Sequence, residues 1–379
     1  MKQIGYLLYA WIYNLCRFIF PEKKGKIVLW NGHNHGINGN IREICDAYKK
    51  MDDVHVYIMI KRDLFRDTMT GRRKNIGGLL ADICRFFVIF PYQMATAEKI
   101  FFNDNFLPLC YMHTGKASTQ FVQLWHGAGV FKRFGLSTET DHKTYEKVRK
   151  ANSKITHLFV TSQGVKPFYR EAFAVPEDRI YVTGLPVTDI YFDENRKNDK
   201  IKSFYDKYPE LKEKKILLYA PTFRNTEKEN SDILKYFQIK KVHEVLGDDW
   251  VILVKFHPKF PGEDLVQNKY CYNMTQYNDI TDLYLVSDML VTDYSSSVVE
   301  YVLLEKPIVL FAYDLEEYDR GFYFDYRSVM PGEIAYTEEE LLKIISKRWN
   351  NIPKRQDFVK FEYDNIDGNA CKRILEILG

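Results

Sequence analysis

The sequence lacks the patterns that mark a zinc protein, a disulfide-rich secreted domain or a disordered chain. Its six cysteines are scattered, with neither a Cys-x-x-Cys pair nor a short His/Cys spacing, and this favours a reducing cytoplasm. No segment is repetitive or of low complexity. No Asp-x-Asp follows a predicted donor-binding strand, so no metal site is predicted. The net charge of +3 is too small to predict a nucleic-acid partner.

The N-terminal segment is apolar, but it is too interrupted for a secretory signal or a membrane-spanning helix. Asn14 and Arg17 break the run, no small-residue cleavage site follows, and a spanning helix needs roughly 20 apolar residues. Three lysines within residues 23–26 come directly after it, which is typical of a helix that lies beside anionic lipid. We therefore predict an interfacial amphipathic helix over residues 1–25 and a peripheral location on the cytoplasmic face of the cell membrane.

A second segment combines basic and apolar residues in the same way. Six lysines and arginines within residues 61–74 precede an apolar run over residues 76–92, which Asp82 and Arg85 interrupt. Two such segments favour contact with a membrane surface. The alternative is that both are ordinary amphipathic helices packed on the protein core.

Short apolar segments alternate with helical ones along the rest of the 379 residues. This alternation is typical of open, mostly parallel sheets with helices on both faces. We predict an α/β protein of the GT-B type, with two Rossmann-like domains facing across a cleft: an N-terminal domain over residues 26–195, a C-terminal domain over 196–345 and a helical tail over 346–379. The predicted strands are residues 26–30, 55–60, 99–103, 120–124, 157–161, 179–184, 215–220, 250–256, 289–293 and 307–313.

The clearest motif follows the third predicted strand of the C-terminal domain, where Asp293 precedes a run of serines. Serine is a favoured N-cap, and the free N–H groups of a helix's first turn bind phosphate. Ser295, Ser296 and Ser297 therefore offer hydroxyl and amide groups to a diphosphate. Glu300 follows them and is placed to accept hydrogen bonds from ribose hydroxyls. One N-cap serine is a common structural device, whereas three serines with a trailing acid favour a nucleotide site.

Two other strands of this domain end in groups suited to phosphate. Lys255 and His257 stand at the carboxyl end of one strand and would neutralise a pyrophosphate. Pro221, Thr222 and Arg224 follow another, and they include a hydroxyl donor and a planar, bidentate guanidinium suited to phosphate or cytosine. A single histidine at a strand end is commonly structural. The convergence of three strand ends nevertheless predicts a nucleotide-diphosphate site.

The N-terminal domain offers a candidate general base. His126 follows a predicted strand between Trp125 and Gly127, in a run whose glycines allow close backbone approach. An imidazole, whose ordinary pKa is near neutral, suits removal of a proton from an attacking hydroxyl. Lys132 and Arg133 come shortly after and would contact a phosphorylated acceptor. The alternative is a structural histidine with satisfied hydrogen bonds.

Together these motifs resemble the teichoic acid glycerol- and ribitol-phosphate transferase family, or CDP-glycerol:poly(glycerophosphate) glycerophosphotransferase family. The resemblance covers roughly residues 120–335 in the family's order and spacing, and the run 320–326 is its most specific part. The matching segments are residues 125–127, 219–224, 257, 293–296, 306–307, 320–326 and 331–334.

The resemblance implies an enzyme that transfers glycerol phosphate from CDP-glycerol to a polyprenyl-diphosphate-linked saccharide in wall teichoic acid synthesis and releases CMP. It implies His126 and His257 as catalytic residues, the first acting on the acceptor hydroxyl. It implies no cofactor, while magnesium stimulation and the oligomeric state stay open. The donor-binding residues predicted from motifs and resemblance are Trp125, Gly127, Pro221, Thr222, Arg224, Lys255, Asp293, Ser295, Ser296, Ser297, Glu300 and Arg320.

Two departures from the family pattern bear on the branch and the donor. Residues 128–132 read Ala-Gly-Val-Phe-Lys, where many polymerases carry Thr-Pro-Leu-Lys after the glycine, and this variant is closer to the primases that add the first unit. Val187 stands where the family often has arginine, so the choice between glycerol and ribitol stays open.

Three alternatives remain at this point. The chain could be an extending glycerol- or ribitol-phosphate polymerase of the same family, or a GT-B glycosyltransferase that uses a nucleotide sugar. From another class, it could be a membrane assembly protein with a decayed nucleotide site, against which the intact His126 and His257 argue. Release of CMP from a CDP-linked donor separates the first from the other two.

Overall fold

The computed structural model describes residues 2–33, 36–61, 64, 75–114, 118–224, 226–256, 265, 267–318, 321–347 and 352–379. The chain divides into two compact units. The first comprises Met1–Ala128, Phe134–Asp189 and Asp364–Gly379, and the second comprises Gly129–Arg133 and Ile190–Tyr363. The main boundary thus falls a few residues before the one predicted at residue 195, and the last helix of the chain returns to the first unit.

Each unit contains one six-stranded sheet in which every described pair of strands is parallel. The strands inside each sheet are mostly apolar and buried, as expected when helices cover both faces of a parallel sheet, and the edge strands are only partly buried. They are β1 (Lys23–Asn31), β2 (His55–Ile60), β3 (Ala97–Phe102), β4 (Gln120–Gln123), β5 (His157–Val160), β6 (Ile180–Val182), β7 (Lys215–Ala220), β8 (Trp250–Val254), β9 (Cys271–Asn273), β10 (Met289–Thr292), β11 (Ile308–Phe311) and β12 (Glu333–Ala335).

Helices connect these strands, and several begin at side-chain caps: Asp141 accepts the N–H of Thr144, and Asp193 accepts that of Arg196. The α-helices are α1 (Lys2–Ile19), α2 (Gly39–Tyr48), α3 (Ile76–Cys84), α4 (Phe90–Ala95), α5 (His142–Asn152), α6 (Lys166–Phe173), α7 (Glu194–Lys207), α8 (Glu227–Tyr236), α9 (Ile239–Leu246), α10 (Ile280–Val286), α11 (Ser297–Tyr301), α12 (Tyr326–Val329), α13 (Glu338–Lys347), α14 (Ile352–Glu362) and α15 (Ala370–Leu378).

The strand orders place a topological switch point in each sheet. The first sheet runs β2-β1-β3-β4-β5-β6 and the second β12-β11-β10-β7-β8-β9. The direction of winding reverses between β1 and β3 in the first and between β7 and β10 in the second. Doubly wound sheets bind ligands beyond the carboxyl ends of the strands at such points. The α/β, Rossmann-like prediction is confirmed for each unit.

The N-terminal helix α1 is amphipathic, and one of its sides packs in the core of the first unit. Tyr9 and Tyr13 are fully buried in an aromatic cluster with Trp30, Phe90 and Phe106. The opposite side of α1 is apolar and exposed.

A second helical segment, Ile76–Ala95, is the one described helix whose length and composition would allow it to cross a membrane. Only 17% of its most apolar window is buried.

Candidate active site

The predicted base, His126, lies at the switch point of the first sheet. It follows β4, and its Nδ1 is 2.9 Å from the carbonyl oxygen of Asn103, the residue after β3. Because a carbonyl oxygen only accepts, this contact places the imidazole proton on Nδ1 in the neutral ring. Nε2 then carries the lone pair that a general base requires.

A second histidine, which the sequence motifs did not single out, packs against this ring. His33 follows β1, and its imidazole is stacked on that of His126 with 3.7 Å between ring centres and 3° between planes. Trp125 contacts the His126 ring as well, with 4.0 Å between centres. The signal in the sequence was the histidine in the glycine-containing loop after β1, at the carboxyl end of a strand next to the switch point.

Asparagine side chains fix the loops that carry the two histidines. The Asn103 side chain accepts the N–H of Gly32 at 2.8 Å and donates to Asn31 at 2.9 Å, which ties the end of β1 to the end of β3. Asn40 donates to the carbonyl oxygens of Leu124 and Trp125, both at 3.3 Å. The backbone around His126 is thus held by buried amide groups, whose satisfied hydrogen bonds favour a single conformation.

Trp125 and Gly127, on either side of His126, make structural contacts in addition to their predicted role in donor binding. Trp125 has a left-handed φ of 58°, and its N–H donates to the Gln123 side chain at 2.8 Å. The carbonyl oxygen of Gly127 accepts the Tyr169 hydroxyl at 3.3 Å. A left-handed tryptophan is strained, which is typical of functional loops held by surrounding contacts. Contact of either residue with a donor stays a prediction.

In the second unit, the ends of β7 and β10 meet through Arg224. Its guanidinium donates to Asp293 at 2.9 Å and to Asp314 at 2.5 and 2.9 Å, and Nη1 donates to the carbonyl oxygen of Thr222 at 2.6 Å. Burial by itself would lower the pKa of Arg224, but Asp293 and Asp314 hold it above its ordinary value. Arg224 therefore organises the switch point, and its predicted direct contact with phosphate or cytosine stays a prediction.

Thr222 is a predicted donor-binding residue whose buried hydroxyl suits a hydrogen bond to a ligand. Its N–H donates to Asp293 at 2.8 Å, while its hydroxyl is buried and has no hydrogen-bond partner among the described residues. A buried polar group without a partner costs about 1–3 kcal/mol, which a ligand would relieve. Pro221 is buried directly before it and ends β7.

The serine run begins the short helix α11. Ser295 and Ser297 are bonded to each other through their hydroxyls at 2.8 Å, and the Ser295 hydroxyl also accepts the Ser297 N–H at 3.2 Å. Ser296 is the N-cap residue, it is exposed, and it makes no side-chain capping bond. Ser296 thus presents its hydroxyl outward, whereas Ser295 and Ser297 stabilise the turn.

The predicted ribose contact, Glu300, has a partner that sequence reasoning missed. Its Oε2 accepts the hydroxyl of Tyr191 at 3.0 Å, from the 3-10 segment Pro186–Phe192. Burial raises the pKa of the Glu300 carboxyl to about 7, and the Tyr191 hydrogen bond acts in the opposite direction. The charge of this side chain therefore changes near neutral pH.

Three further predicted residues complete the account of the second unit. The Lys255 ammonium follows β8 and donates to the carbonyl oxygens of Thr275 and Tyr277, both at 2.8 Å. Burial lowers its pKa to about 8. These contacts assign Lys255 a structural task, and its contact with pyrophosphate stays a prediction. His257 and Arg320 lie outside the described residues.

The segment after Gly127 that includes the predicted acceptor contacts belongs to the second unit. Lys132 forms an antiparallel bridge with Phe322, and the N–H of Arg133 donates to Gly321 at 3.2 Å. The N–H of Val130 donates to the buried carboxyl of Glu362 at 2.8 Å. Lys132 and Arg133 are thus held beside Gly321 and Phe322 by main-chain contacts.

Comparison with known proteins places these features in one family. The family model of CDP-glycerol:poly(glycerophosphate) glycerophosphotransferases matches residues 12–378. The teichoic acid poly(ribitol-phosphate) polymerase of Bacillus spizizenii is 30% identical over 99% of this chain, which spans 59% of that protein. The ribitol-phosphate primase of the same organism is 28% identical over 97% of this chain and 94% of its own length. The glycerol-phosphate primase of Bacillus subtilis is 30% identical over 74% of this chain and 73% of its own length.

Solved structures confirm the GT-B prediction. The wall teichoic acid polymerase TagF superposes with a TM-score of 0.79 at 21% identity, over 97% of this chain and 91% of the TagF chain. A UDP-GlcNAc 2-epimerase from Methanocaldococcus jannaschii follows with a TM-score of 0.55 at 14% identity, over 93% of this chain and 99% of its own. Likeness at these identities shows the fold alone. With the family model matching nearly every residue, the chain belongs to the CDP-glycerol:poly(glycerophosphate) glycerophosphotransferase family.

Proposed function

We propose that the protein transfers glycerol phosphate from CDP-glycerol to a lipid-linked teichoic acid acceptor and releases CMP. The orientation of His126 carries this proposal. The Asn103 carbonyl oxygen, 2.9 Å from Nδ1, leaves Nε2 as the basic nitrogen at the switch point of the first sheet. In a family whose reaction needs a deprotonated acceptor hydroxyl, this is the arrangement of a general base.

The reaction balances with the groups present. The acceptor hydroxyl oxygen attacks the phosphorus that bears glycerol, and its proton passes to Nε2 of His126. The bond from that phosphorus to the bridging oxygen of the diphosphate breaks, and the electron pair leaves with CMP. Positioning and charge stabilisation supply most of the catalysis in phosphoryl transfer of this kind. The second unit's contribution is therefore binding of the CDP group.

Two features of the second unit support binding of a nucleotide diphosphate. The Thr222 hydroxyl, which has no hydrogen-bond partner in the part of the chain that the structure describes, and the outward Ser296 hydroxyl follow β7 and β10, the strands on either side of the switch point. Glu300, once ionised, accepts hydrogen bonds from the two ribose hydroxyls. His257 would assist charge stabilisation, as the family resemblance implies.

CDP-ribitol is the second candidate donor, because ribitol-phosphate relatives align over more of the chain. The ribitol-phosphate polymerases and primase align over 97–99% of it, against 69–74% for three glycerol-phosphate relatives. In addition, the residue after Pro186 is Val187, where the family frequently has arginine. The N–H of Val187 donates to Asn40, so this position contributes a main-chain contact to the first unit.

A peripheral position on the cytoplasmic face of the membrane forms part of the proposal. The outer side of α1 exposes Ile4 (70%), Trp11 (62%) and Phe18 (90%), which recur every seven residues and form one stripe. The segment that begins with Ile76 adds further exposed apolar side chains. Apolar stripes of this size are typical of helices that lie in a membrane interface. A lipid-linked acceptor would be within reach of an enzyme held there.

The direct test supplies purified protein with CDP-glycerol or CDP-ribitol, each with an unprimed lipid-linked disaccharide or a version already bearing one glycerol phosphate. Released CMP and product mass are measured. One unit added to the unprimed lipid from CDP-glycerol would establish a primase. Addition from CDP-ribitol alone would favour the second candidate, and addition only to the primed lipid would favour an extending enzyme. Absence of CMP release from both donors would overturn the proposed reaction.

A further inference from the structure

An open groove of about 780 Å³ lies in the first unit, and its lining residues are not among those proposed for catalysis. One wall is the helix α5, and another is the 3-10 helix Leu107–Tyr111. Gln3, at the beginning of α1, completes it. No motif in the sequence pointed to this groove, because its walls come from three distant parts of the chain.

The groove is strongly basic. Lys143, Lys147 and Lys150 line it from successive turns of α5, together with Arg149 and His142. Arg149 pairs with the lining carboxylate of Glu146 at 2.8 Å. Within the described part of the chain, no carboxylate forms an ion pair with any of the three lysines. Like charges on one helix face destabilise the helix slightly. A bound anion would relieve the repulsion between the three lysines.

The groove also adjoins the apolar stripe of α1. Gln3 in its wall directly precedes Ile4, the first exposed residue of the stripe. The Asn14 side chain of α1 accepts the N–H of His113 at 2.7 Å and donates to the Tyr111 carbonyl oxygen at 3.4 Å. Because these contacts tie α1 to the 3-10 helix, lysines and apolar stripe belong to one packed assembly in the first unit.

We propose that this groove binds the phosphate group of a lipid headgroup when the stripe of α1 enters the membrane interface. The inference rests on the peripheral location proposed above. Lysine ammonium groups bind phosphate as point charges, and a surface of anionic lipid attracts each of them. Phospholipid and polyprenyl phosphate share this headgroup chemistry. The groove thereby fixes the orientation of the first unit on the membrane.

The test compares two triple variants with the same change of charge. One is K143Q/K147Q/K150Q in the groove, and the other is K202Q/K212Q/K215Q, three exposed lysines of the second unit. Flotation measures partition onto vesicles of phosphatidylcholine alone, of phosphatidylcholine with phosphatidylglycerol, and of phosphatidylcholine with a polyprenyl phosphate. Each lysine near an anionic surface contributes about fivefold to partition. The groove variant should therefore lose on the order of 100-fold on both anionic vesicles, with little loss for the control variant.

Each other outcome rejects a defined part of the inference. Equal losses for the two variants would reduce the effect to general charge and overturn the site. Unchanged partition of the groove variant, with a raised KM for a soluble glycerol-phosphate acceptor, would reassign the lysines to the acceptor chain. Loss on one anionic vesicle alone would reject recognition of the shared headgroup chemistry and would identify which lipid is bound. Partition needs no donor, so absence of CMP release from every preparation would overturn the proposed reaction without affecting this result.

Discussion

At the scale of single residues, the first unit assembles its candidate base from groups that are far apart in the chain. His126 follows β4, its orienting carbonyl belongs to Asn103 after β3, and the ring stacked on it belongs to His33 after β1. Each residue stands at the carboxyl end of a strand, and the parallel sheet brings those ends together. The motif around His126 was visible in the sequence, but its tautomer and its stacking partner depend on the strand order.

Replacing the two histidines separates proton transfer from positioning. His126→Ala should lower kcat by about 10²–10⁴-fold, the range of general-base contributions, and leave CDP-glycerol binding largely intact, because most of the predicted donor-binding residues lie in the second unit. His33→Ala should cause a smaller loss, whereas His33→Phe keeps an aromatic face and should recover most of it. Pre-steady-state CMP release and donor calorimetry measure the two properties. Turnover by His126→Ala at the wild-type rate would refute the base assignment.

The Glu300–Tyr191 pair predicts how donor affinity depends on pH. The pKa of Glu300 is raised to about 7 by burial, so the carboxylate that we propose accepts ribose hydroxyls is present above that pH and lost below it. Donor Kd should therefore rise as pH falls from 8 to 6. Tyr191→Phe removes a hydrogen bond that lowers this pKa, and the inflection should move to higher pH. Calorimetric titration across this range tests both, and a pH-independent Kd would contradict the role of Glu300.

At the scale of elements, α1 combines two roles on its opposite sides. Tyr9 and Tyr13 are part of the core, while the exposed stripe has no cover among the described residues. Deleting residues 1–20 would remove core and stripe together and would confuse loss of membrane binding with loss of folding. Substitutions confined to the stripe are therefore the informative change.

Ile4→Ser, Trp11→Ser and Phe18→Ser together should release the protein from neutral phosphatidylcholine vesicles. Three large apolar side chains in the interface contribute about 1.5–3 kcal/mol each, so partition should fall on the order of 1,000-fold or more. The matched control changes Phe192, Tyr236 and Val245 to serine, because these side chains are also exposed but lie in the second unit. Flotation measures both, with circular dichroism to verify folding. Equal partition of the two triple variants would show that α1 does not anchor the protein.

Most elements were predictable from apolar periodicity, and the exceptions have a physical reason. Strand β10 was predicted over residues 289–293 and is observed over Met289–Thr292, because it is a short, continuous and mostly apolar run with a clear end. Strands β9 and β12 were not predicted. Each has three residues, and β12 (Glu333–Ala335) is a strand because it pairs with Val309–Phe311 of β11. Such edge strands are defined by the neighbour they pair with and not by their own composition.

At the scale of the whole molecule, the chain leaves the first unit after Asp189 and returns to it at Asp364. The closing helix α15 buries Ile374 and Leu378 there, and the Lys99 ammonium donates to the carbonyl oxygen of Gly379 at 2.8 Å. The sequence alone predicted a helical tail but not the unit against which it packs, because an amphipathic pattern shows that one face of a helix is buried and does not show which residues cover it.

Asp189 ties this return together, and its removal should destabilise one unit only. Its two carboxylate oxygens accept the N–H groups of Ala370 and Cys371 at 2.9 and 2.8 Å, so it caps α15 from the far end of the unit's main segment. Hydrogen bonds to charged groups contribute about 1.5–3 kcal/mol each, and burial of the carboxylate, which raises the pKa of Asp189, offsets part of this, so Asp189→Ala should lower the free energy of unfolding by about 2–4 kcal/mol. Asp193→Ala, which removes the ordinary cap of α7 in the second unit, should cost about 1 kcal/mol.

Hydrogen exchange locates the effect. Asp189→Ala should lower protection in the first sheet and leave the second unchanged, since the capped helix packs only where its apolar face is buried. Equal loss of protection in both sheets would mean that the two units unfold as one cooperative body, and the division of the chain would then describe its geometry but not its stability.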